Sequence, residues 1–235
     1  MIMIGRGKWG MTMNVYESIS ALEEVFRYAK LYRSVPLAIV NRKVVTPLLS
    51  HDVDRDWFTL LELIEAKTLD WVHHSVAVGI LASLIGKRMQ LSSMDRQSLL
   101  TAGVLHDIGI VLIPSEILHQ PDFNAEYWEV YENHTIFGYQ LLKNTIGISH
   151  HQALVALEHH ERVDGSGYPM KKSGEQMSLF SKIVGFADAL CGYLESSEVP
   201  CGRVSLEQMM TMLPDTFFRS FDPMLVSVVM GVETS

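Results

Sequence analysis

Hydrophobic residues recur every three or four positions along most of this chain, which is the spacing of amphipathic α-helices. In "SISALEEVFRYAKLYR" (residues 18–33), an apolar stripe follows Ser20, and Ser20 with Glu23 predicts a capping box at the start of a helix. In "DPMLVSVVMGVE", Asp222 followed by Pro223 predicts an N-cap and the first residue of another helix. These patterns favour an all-α protein.

The segment "LAIVNRKVVTPL" (residues 37–48) leaves two interpretations open, because its two β-branched runs suit either a short hairpin or a buried helix. The helical pattern breaks soon afterwards, at "SHDVDRD". We therefore predict a short, mainly helical N-terminal region over residues 1–56 and a helical bundle over residues 57–235.

Composition narrows the function classes. Of the 235 residues, 48% are hydrophobic and 20% charged, a balance that supports a globular core. The net charge of −8 gives no basic surface for nucleic acid polymers or anionic lipids. The longest uncharged apolar run, "WVHHSVAVGILASLIG", is shorter than the ~20 residues of a membrane helix, and the N-terminus lacks a signal-peptide pattern. We expect a cytoplasmic protein without a membrane span.

Several predicted helices carry an imidazole or a carboxylate in an apolar context. Asp70 and His74 are four residues apart and share one helix face. His106 and Asp107 lie in a strongly apolar helix, where a buried carboxylate needs a partner or a metal ion. The same context surrounds His134, His159, His160 and Asp188. A lone helical histidine is usually an ordinary core or surface residue, but packing all these groups together predicts a bound cation.

The types of donor atom narrow the choice of metal ion. Nitrogen and carboxylate donors without thiolate suit two or three octahedral iron or manganese ions better than a cysteine-type zinc site. A carboxylate such as Asp107 is able to bridge two ions about 3.5 to 4 Å apart, an arrangement that activates a bridging water for attack on phosphorus. The two cysteines, Cys191 and Cys201, have no paired metal or redox spacing. The sequence thus predicts a local positive site for a phosphate ligand.

The order of these residues, with "HHERVDGSGYP" and "SGEQMSLFSKIVGFAD", resembles the HD-GYP domain of the HD phosphohydrolase superfamily over about residues 60–195. The resemblance implies an HD-type helical bundle with two or three Fe or Mn ions. It implies hydrolysis of cyclic di-GMP to linear pGpG, and on to GMP, by a metal-bridged hydroxide. The metal ligands it implies are His74, His106, Asp107, His134, His159, His160 and Asp188.

The resemblance also implies roles beyond these ligands. His106 and Asp107 would form the catalytic centre, and Asp70 stands where trinuclear members place a longer glutamate on the third ion. The turn after the paired histidines would cover the substrate and, in this family, contact GGDEF-domain partners. Its candidate substrate-binding residues are Gly165, Ser166, Gly167 and Tyr168.

Two departures from the family pattern keep alternatives open. Most members have a lysine near a substrate phosphate where this chain has Ile110, and Ile110→Lys is expected to speed the reaction. After Asp188, Cys191 replaces a second aspartate and an Arg-Pro-Tyr-Arg segment is missing, which leaves Arg203 as the candidate phosphate-binding base. Three interpretations therefore stay open. The chain is a phosphodiesterase, or it is a catalytically impaired, metal-binding module that serves as a dinucleotide sensor or protein-interaction domain. The third interpretation is a hydrolase of another nucleotide.

Overall fold

The computed structural model describes residues 13–49, 71–118, 124–196, 210–211 and 213–231, and these ranges are mainly helical. The helices are α1 (Met13–Tyr32), α2 (Leu37–Ile39), α3 (Thr46–Leu49), α4 (Trp71–Arg88), α5 (Ser93–Leu105), α6 (Ser115–Leu118), α7 (Ala125–Lys143), α8 (His150–Glu158), α9 (Leu179–Ser196), α10 (Asp215–Phe218) and α11 (Pro223–Met230). Within the ranges just given there is no β-strand, although one isolated bridge joins Asp164 and Ser173. The predicted all-α class is confirmed.

The segment that suited either a hairpin or a helix is helical. Between α2 and α3 the chain forms a π-helical stretch, Val40–Val45, in which Val40, Val44 and Val45 are buried. These valines are part of the hydrophobic core, which also contains residues of α1, α4 and α5. The predicted boundary between residues 56 and 57 lies outside the described residues, so the two-domain division stays a prediction.

Two predicted helix starts have different outcomes. The capping box at Ser20 and Glu23 is wrong, because α1 already runs from Met13 and Ser20 is exposed within it. The cap at Asp222 is confirmed: its Oδ1 accepts hydrogen bonds from the backbone N–H groups of Met224 and Leu225, 3.0 and 3.5 Å away. Of the two predicted helix starts, the one whose N-cap residue is followed by proline was therefore predicted correctly.

The centre of the fold is a close crossing of α4 and α5. A Cβ added to Gly103 of α5 would lie 2.5 Å from the Cα of Gly79 in α4, so the two backbones touch. Helix α9 packs on α4 and α8, and α7 packs on α8 and on the 3-10 turn Ile108–Leu112 that follows α5. These contacts bring five long helices together around the C-terminal end of α5. None of the helices described above is both long and apolar enough to cross a membrane.

Replacing Gly103 with alanine is expected to lower the free energy of unfolding by about 1 to 3 kcal/mol, because the new methyl group would meet backbone that cannot rotate aside. Urea denaturation of the metal-free protein measures the change. Gly192→Ala in α9 is the matched control, since no described atom beyond its chain neighbours and the nearby backbone of its own helix lies within 4 Å of its added Cβ. If Gly103→Ala is as stable as Gly192→Ala, the close crossing of α4 and α5 is contradicted.

Candidate metal centre

Two groups of nitrogen and carboxylate donors meet where the five helices converge. One group consists of Asp107, His134, His159 and His160, and the other of His74, His106 and Asp188. Within each group the candidate ligand atoms all lie within 4.8 Å of one another. The structure thus brings together all seven residues that the HD-GYP resemblance implies as metal ligands. Asp70 lies outside the described residues, so its role toward a third ion stays a prediction.

Asp107 lies between the two groups and faces both. Its Oδ1 is 3.3 Å from Nε2 of His134 and 3.4 Å from Nε2 of His159. Its Oδ2 is 3.3 Å from Nε2 of His106, which belongs to the other group. Burial favours the neutral acid, yet the charge of His106 beside it holds the pKa of Asp107 well below its usual range. The carboxylate that faces both groups is therefore an anion.

The imidazoles of three ligands are oriented by their own helices. Nδ1 of His106 donates to the carbonyl oxygen of Gly103 at 2.7 Å, and Nδ1 of His134 donates to that of Tyr131 at 2.7 Å. Nδ1 of His159 lies 3.1 Å from the carbonyl oxygens of both Val155 and Ala156. A proton held on Nδ1 leaves the lone pair of Nε2 directed at the centre, as a metal ligand requires.

The residues present fit a metal ion. Nε2 of His106 and Oδ1 of Asp107 are buried and make no hydrogen bond to any described residue. Leaving two such polar atoms unsatisfied is costly, and a cation in each ligand group would satisfy both. Burial lowers the pKa of His134 to about 4 and, together with the charge of His159, lowers the pKa of His160 well below its usual range. Both imidazoles are then neutral at neutral pH, the form that binds metals.

Beside the second group lies a carboxylate that was not predicted from the sequence. Glu195 lies seven residues after Asp188, two turns further along α9, and both of its carboxylate oxygens are 3.1 Å from Nδ1 of His74. Nε2 of His74 is 3.0 Å from Oδ1 of Asp188. Burial opposes protonation of His74, but these two carboxylates raise its pKa well above the usual value. The surplus of negative charge on this side favours a bound cation.

The turn after the paired histidines folds back over the centre. Gly167 is required there, because a Cβ at this position would lie 2.4 Å from the carbonyl oxygen of His160 and 2.5 Å from the amide nitrogen of Arg162. The ring of Tyr168 stacks on that of His160, with 4.7 Å between centroids. Gly165 adopts a positive φ of 77°. Two candidate substrate-binding residues, Gly167 and Tyr168, thus lie directly beside a candidate metal ligand.

A cleft of about 550 Å³ opens next to His160. Three of the four loop residues expected to bind substrate line it, Gly165 being the exception; its lining is Trp128, Glu132, His160, Arg162, Ser166, Gly167, Tyr168, Pro169, Lys171 and Ser220. Two cationic residues of this lining, Arg162 and Lys171, were not predicted from the sequence as substrate-binding residues, although both flank the glycines of the motif. Arg203, the candidate for this role, lies outside the described residues.

Ile110 lies in the 3-10 turn after Asp107, and its side chain is fully buried. A lysine there would have to bury an ammonium group, which is costly without a partner. The expectation that Ile110→Lys speeds the reaction stays a prediction.

Comparisons with known proteins agree with this geometry. A family model described as "HD domain" matches residues 59–224. The chain is 31% identical over 172 residues to a cyclic di-GMP phosphodiesterase of Pseudomonas aeruginosa, covering 72% of this chain and 41% of that protein. It is 33% identical over 138 residues to a cyclic di-GMP phosphodiesterase of Thermotoga maritima, covering 56% and 38% of the two chains. It is also 27% identical over 177 residues to a 3′3′-cGAMP-specific phosphodiesterase of Vibrio cholerae, covering 74% and 33%.

A solved structure supports the fold. An HDG"Y"P protein from Bdellovibrio bacteriovorus superimposes with a TM-score of 0.63 at 17% identity, covering 93% of this chain and 69% of that one. This chain spans between a third and about two fifths of the length of the three phosphodiesterases named above. The family match extends over most of the bundle and contains all seven candidate ligands. The chain therefore belongs to the HD domain family, and its resemblance to HD-GYP proteins is confirmed.

Proposed function

We propose that this chain is a metal-dependent phosphodiesterase that opens cyclic di-GMP to linear pGpG, and further to GMP, with two or three Fe or Mn ions. The observation that carries the proposal is the orientation of the Asp107 carboxylate, which directs one oxygen toward each ligand group. Bridging carboxylates of this kind hold paired ions in enzymes that cleave phosphate esters. The cyclic di-GMP phosphodiesterases among the relatives support the same chemistry.

Each part of the site has a role in this reaction. The ions would lower the pKa of a bound water molecule and would supply positive charge for the phosphate oxygens. Asp107 holds the two ligand groups at a fixed separation, and His106 beside it is the other residue we place at the catalytic centre. Arg162 and Lys171 in the neighbouring cleft offer cationic donors to a phosphate, a function that the sequence analysis assigned to other positions.

The cleft also suits a guanine base. Trp128 and Glu132 are four residues apart on α7, line the same cleft, and thus share a helix face. Trp128 is 46% exposed and offers an aromatic surface, on which a base stacks with about 1 to 3 kcal/mol. A carboxylate accepts from the two N–H donors on the Watson–Crick edge of guanine, whereas adenine presents an acceptor there. These features support cyclic di-GMP over an adenine-only dinucleotide.

The impaired-module alternative is not favoured. It rested on a missing lysine and missing arginines, and the cleft contains two cations that replace them in part. Contacts with GGDEF-domain partners through the loop, and a cytoplasmic location, stay predictions.

The direct test is product formation. The protein is prepared anaerobically with Fe(II) or Mn(II), incubated with cyclic di-GMP, and the products are separated by chromatography. Linear pGpG is the expected product, and 3′3′-cGAMP in a parallel reaction tests the substrate of the third relative. Fully metal-loaded protein that yields no linear product from either dinucleotide over hours would overturn the phosphodiesterase proposal.

Asp107→Asn is expected to remove most of the bound metal, because the neutral amide loses the charge shared by both ions. Metal affinity should fall by more than the ~10- to 100-fold that typically follows loss of a group adjacent to a ligand, and turnover should fall with it. Elemental analysis and the product assay on the same preparation measure both effects. An Asp107→Asn protein that retains two ions and wild-type turnover would contradict the bridging role.

Glu132→Ala is expected to reduce the preference for cyclic di-GMP over cyclic di-AMP, since it removes the acceptor for the guanine edge. The ratio of kcat/KM for the two dinucleotides should fall by about tenfold, the equivalent of about 1.4 kcal/mol and close to the lower end of the ~1.5 to 3 kcal/mol of one charged hydrogen bond. Glu129→Ala, an exposed position on the same helix, is the control. A ratio unchanged in Glu132→Ala would remove Glu132 from substrate recognition.

A further inference from the structure

His74 differs from three other candidate histidine ligands in what orients its ring. The Nδ1 atoms of His106, His134 and His159 donate to carbonyl oxygens of their own helices. Nδ1 of His74 instead lies 3.1 Å from both carboxylate oxygens of Glu195, which belongs to a different helix. His74 sits in the first turn of α4 and Glu195 in the last turn of α9, 121 residues apart in sequence.

The geometry gives Glu195 a role that acts through His74. A proton kept on Nδ1 by the carboxylate makes Nε2, which is 3.0 Å from Oδ1 of Asp188, the nitrogen that would give up its proton when an ion binds beside Asp188. Donation to a carboxylate also makes the imidazole a stronger donor to a metal than donation to a carbonyl does. Glu195 itself lies outside both groups of converging ligand atoms, so its contact with the centre runs through His74.

One helix thereby supplies both a ligand and the residue that orients a second ligand. Asp188 and Glu195 are seven residues apart on α9, so they project from the same face. Glu195 is partly shielded, with 28% of its side chain exposed, and His74 has 15% exposed. At that degree of burial, a charge-assisted hydrogen bond is stronger than a comparable contact on the open surface.

A purely structural role would have different consequences. If the contact of His74 with Glu195 only held α4 against α9, its loss would lower the stability of the metal-free protein and leave metal affinity unchanged. If Glu195 orients a ligand, its loss lowers the affinity for the ion held by His74, His106 and Asp188. The affinity for the ion on the other side of Asp107 stays unchanged.

We infer that Glu195 is a positioning residue that sets the tautomer and direction of His74 and so raises the affinity of one of the two metal positions. This assignment rests on the proposed two-ion centre. It places a determinant of metal occupancy in the last turn of α9, outside the motifs on which the family resemblance was based.

The experiment compares Glu195→Gln and Glu195→Ala with the wild type, using Mn(II) as the probe. Equilibrium titration under anaerobic conditions, followed by electron paramagnetic resonance of free Mn(II), gives the affinity of each position. Glu195→Ala should weaken one position by about 10- to 100-fold and leave the other within twofold, as expected for loss of a residue that orients a ligand. Glu195→Gln, which retains an oxygen acceptor without the charge, should lose less.

Glu24→Gln, at an exposed position of α1, is the matched control for removing one negative charge. Circular dichroism and the Tm of the metal-free proteins report on the fold. Two Mn(II) positions of wild-type affinity in both Glu195 variants would overturn the assignment, as would a lowered Tm with unchanged affinities. A wild type that binds no Mn(II) would instead overturn the two-ion centre, and the assignment with it.

Discussion

The arrangement of this protein depends on one buried anion, the Asp107 carboxylate. It lies in an apolar helical bundle, with imidazole nitrogens of separate helices about 3.3 Å from each of its oxygens. An isolated carboxylate in such a place is strongly disfavoured, so charge and hydrogen-bonding groups must converge on it. The close contact of α4 with α5, and the packing of α7, α8 and α9 around them, bring those groups to one point.

The loop beyond the paired histidines is attached to the same framework by two buried acids. Glu161 is 1% exposed and accepts from the backbone N–H groups of Met170 and Lys172, at 2.6 and 2.9 Å. Glu158, also 1% exposed, forms a 2.6 Å ion pair with Lys172. Glu158 is the last residue of α8 and Glu161 follows three residues later, so the loop that lines the cleft is attached to the segment that contains His159 and His160.

The sequence was sufficient to find the candidate ligands, because a histidine or aspartate in an apolar helical context is conspicuous and the spacing matched a family. It was insufficient for contacts between distant helices. Glu195 resembles any charged residue near a helix end until α4 is placed beside it. Ile110 stands where the family pattern has a lysine, and the burial of its side chain follows from tertiary packing, which that pattern does not contain. The β-branched run at residues 37–48 was ambiguous because burial, which decides between hairpin and helix, is a tertiary property.

If Asp107 joins two ions into one unit, the two ions are magnetically coupled, because ions that share a bridging ligand interact whereas isolated ions do not. Electron paramagnetic resonance of the wild type loaded with two Mn(II) per chain should then show the broadened spectrum of a coupled pair. A spectrum of independent Mn(II) ions at full loading would show that Asp107 does not join them.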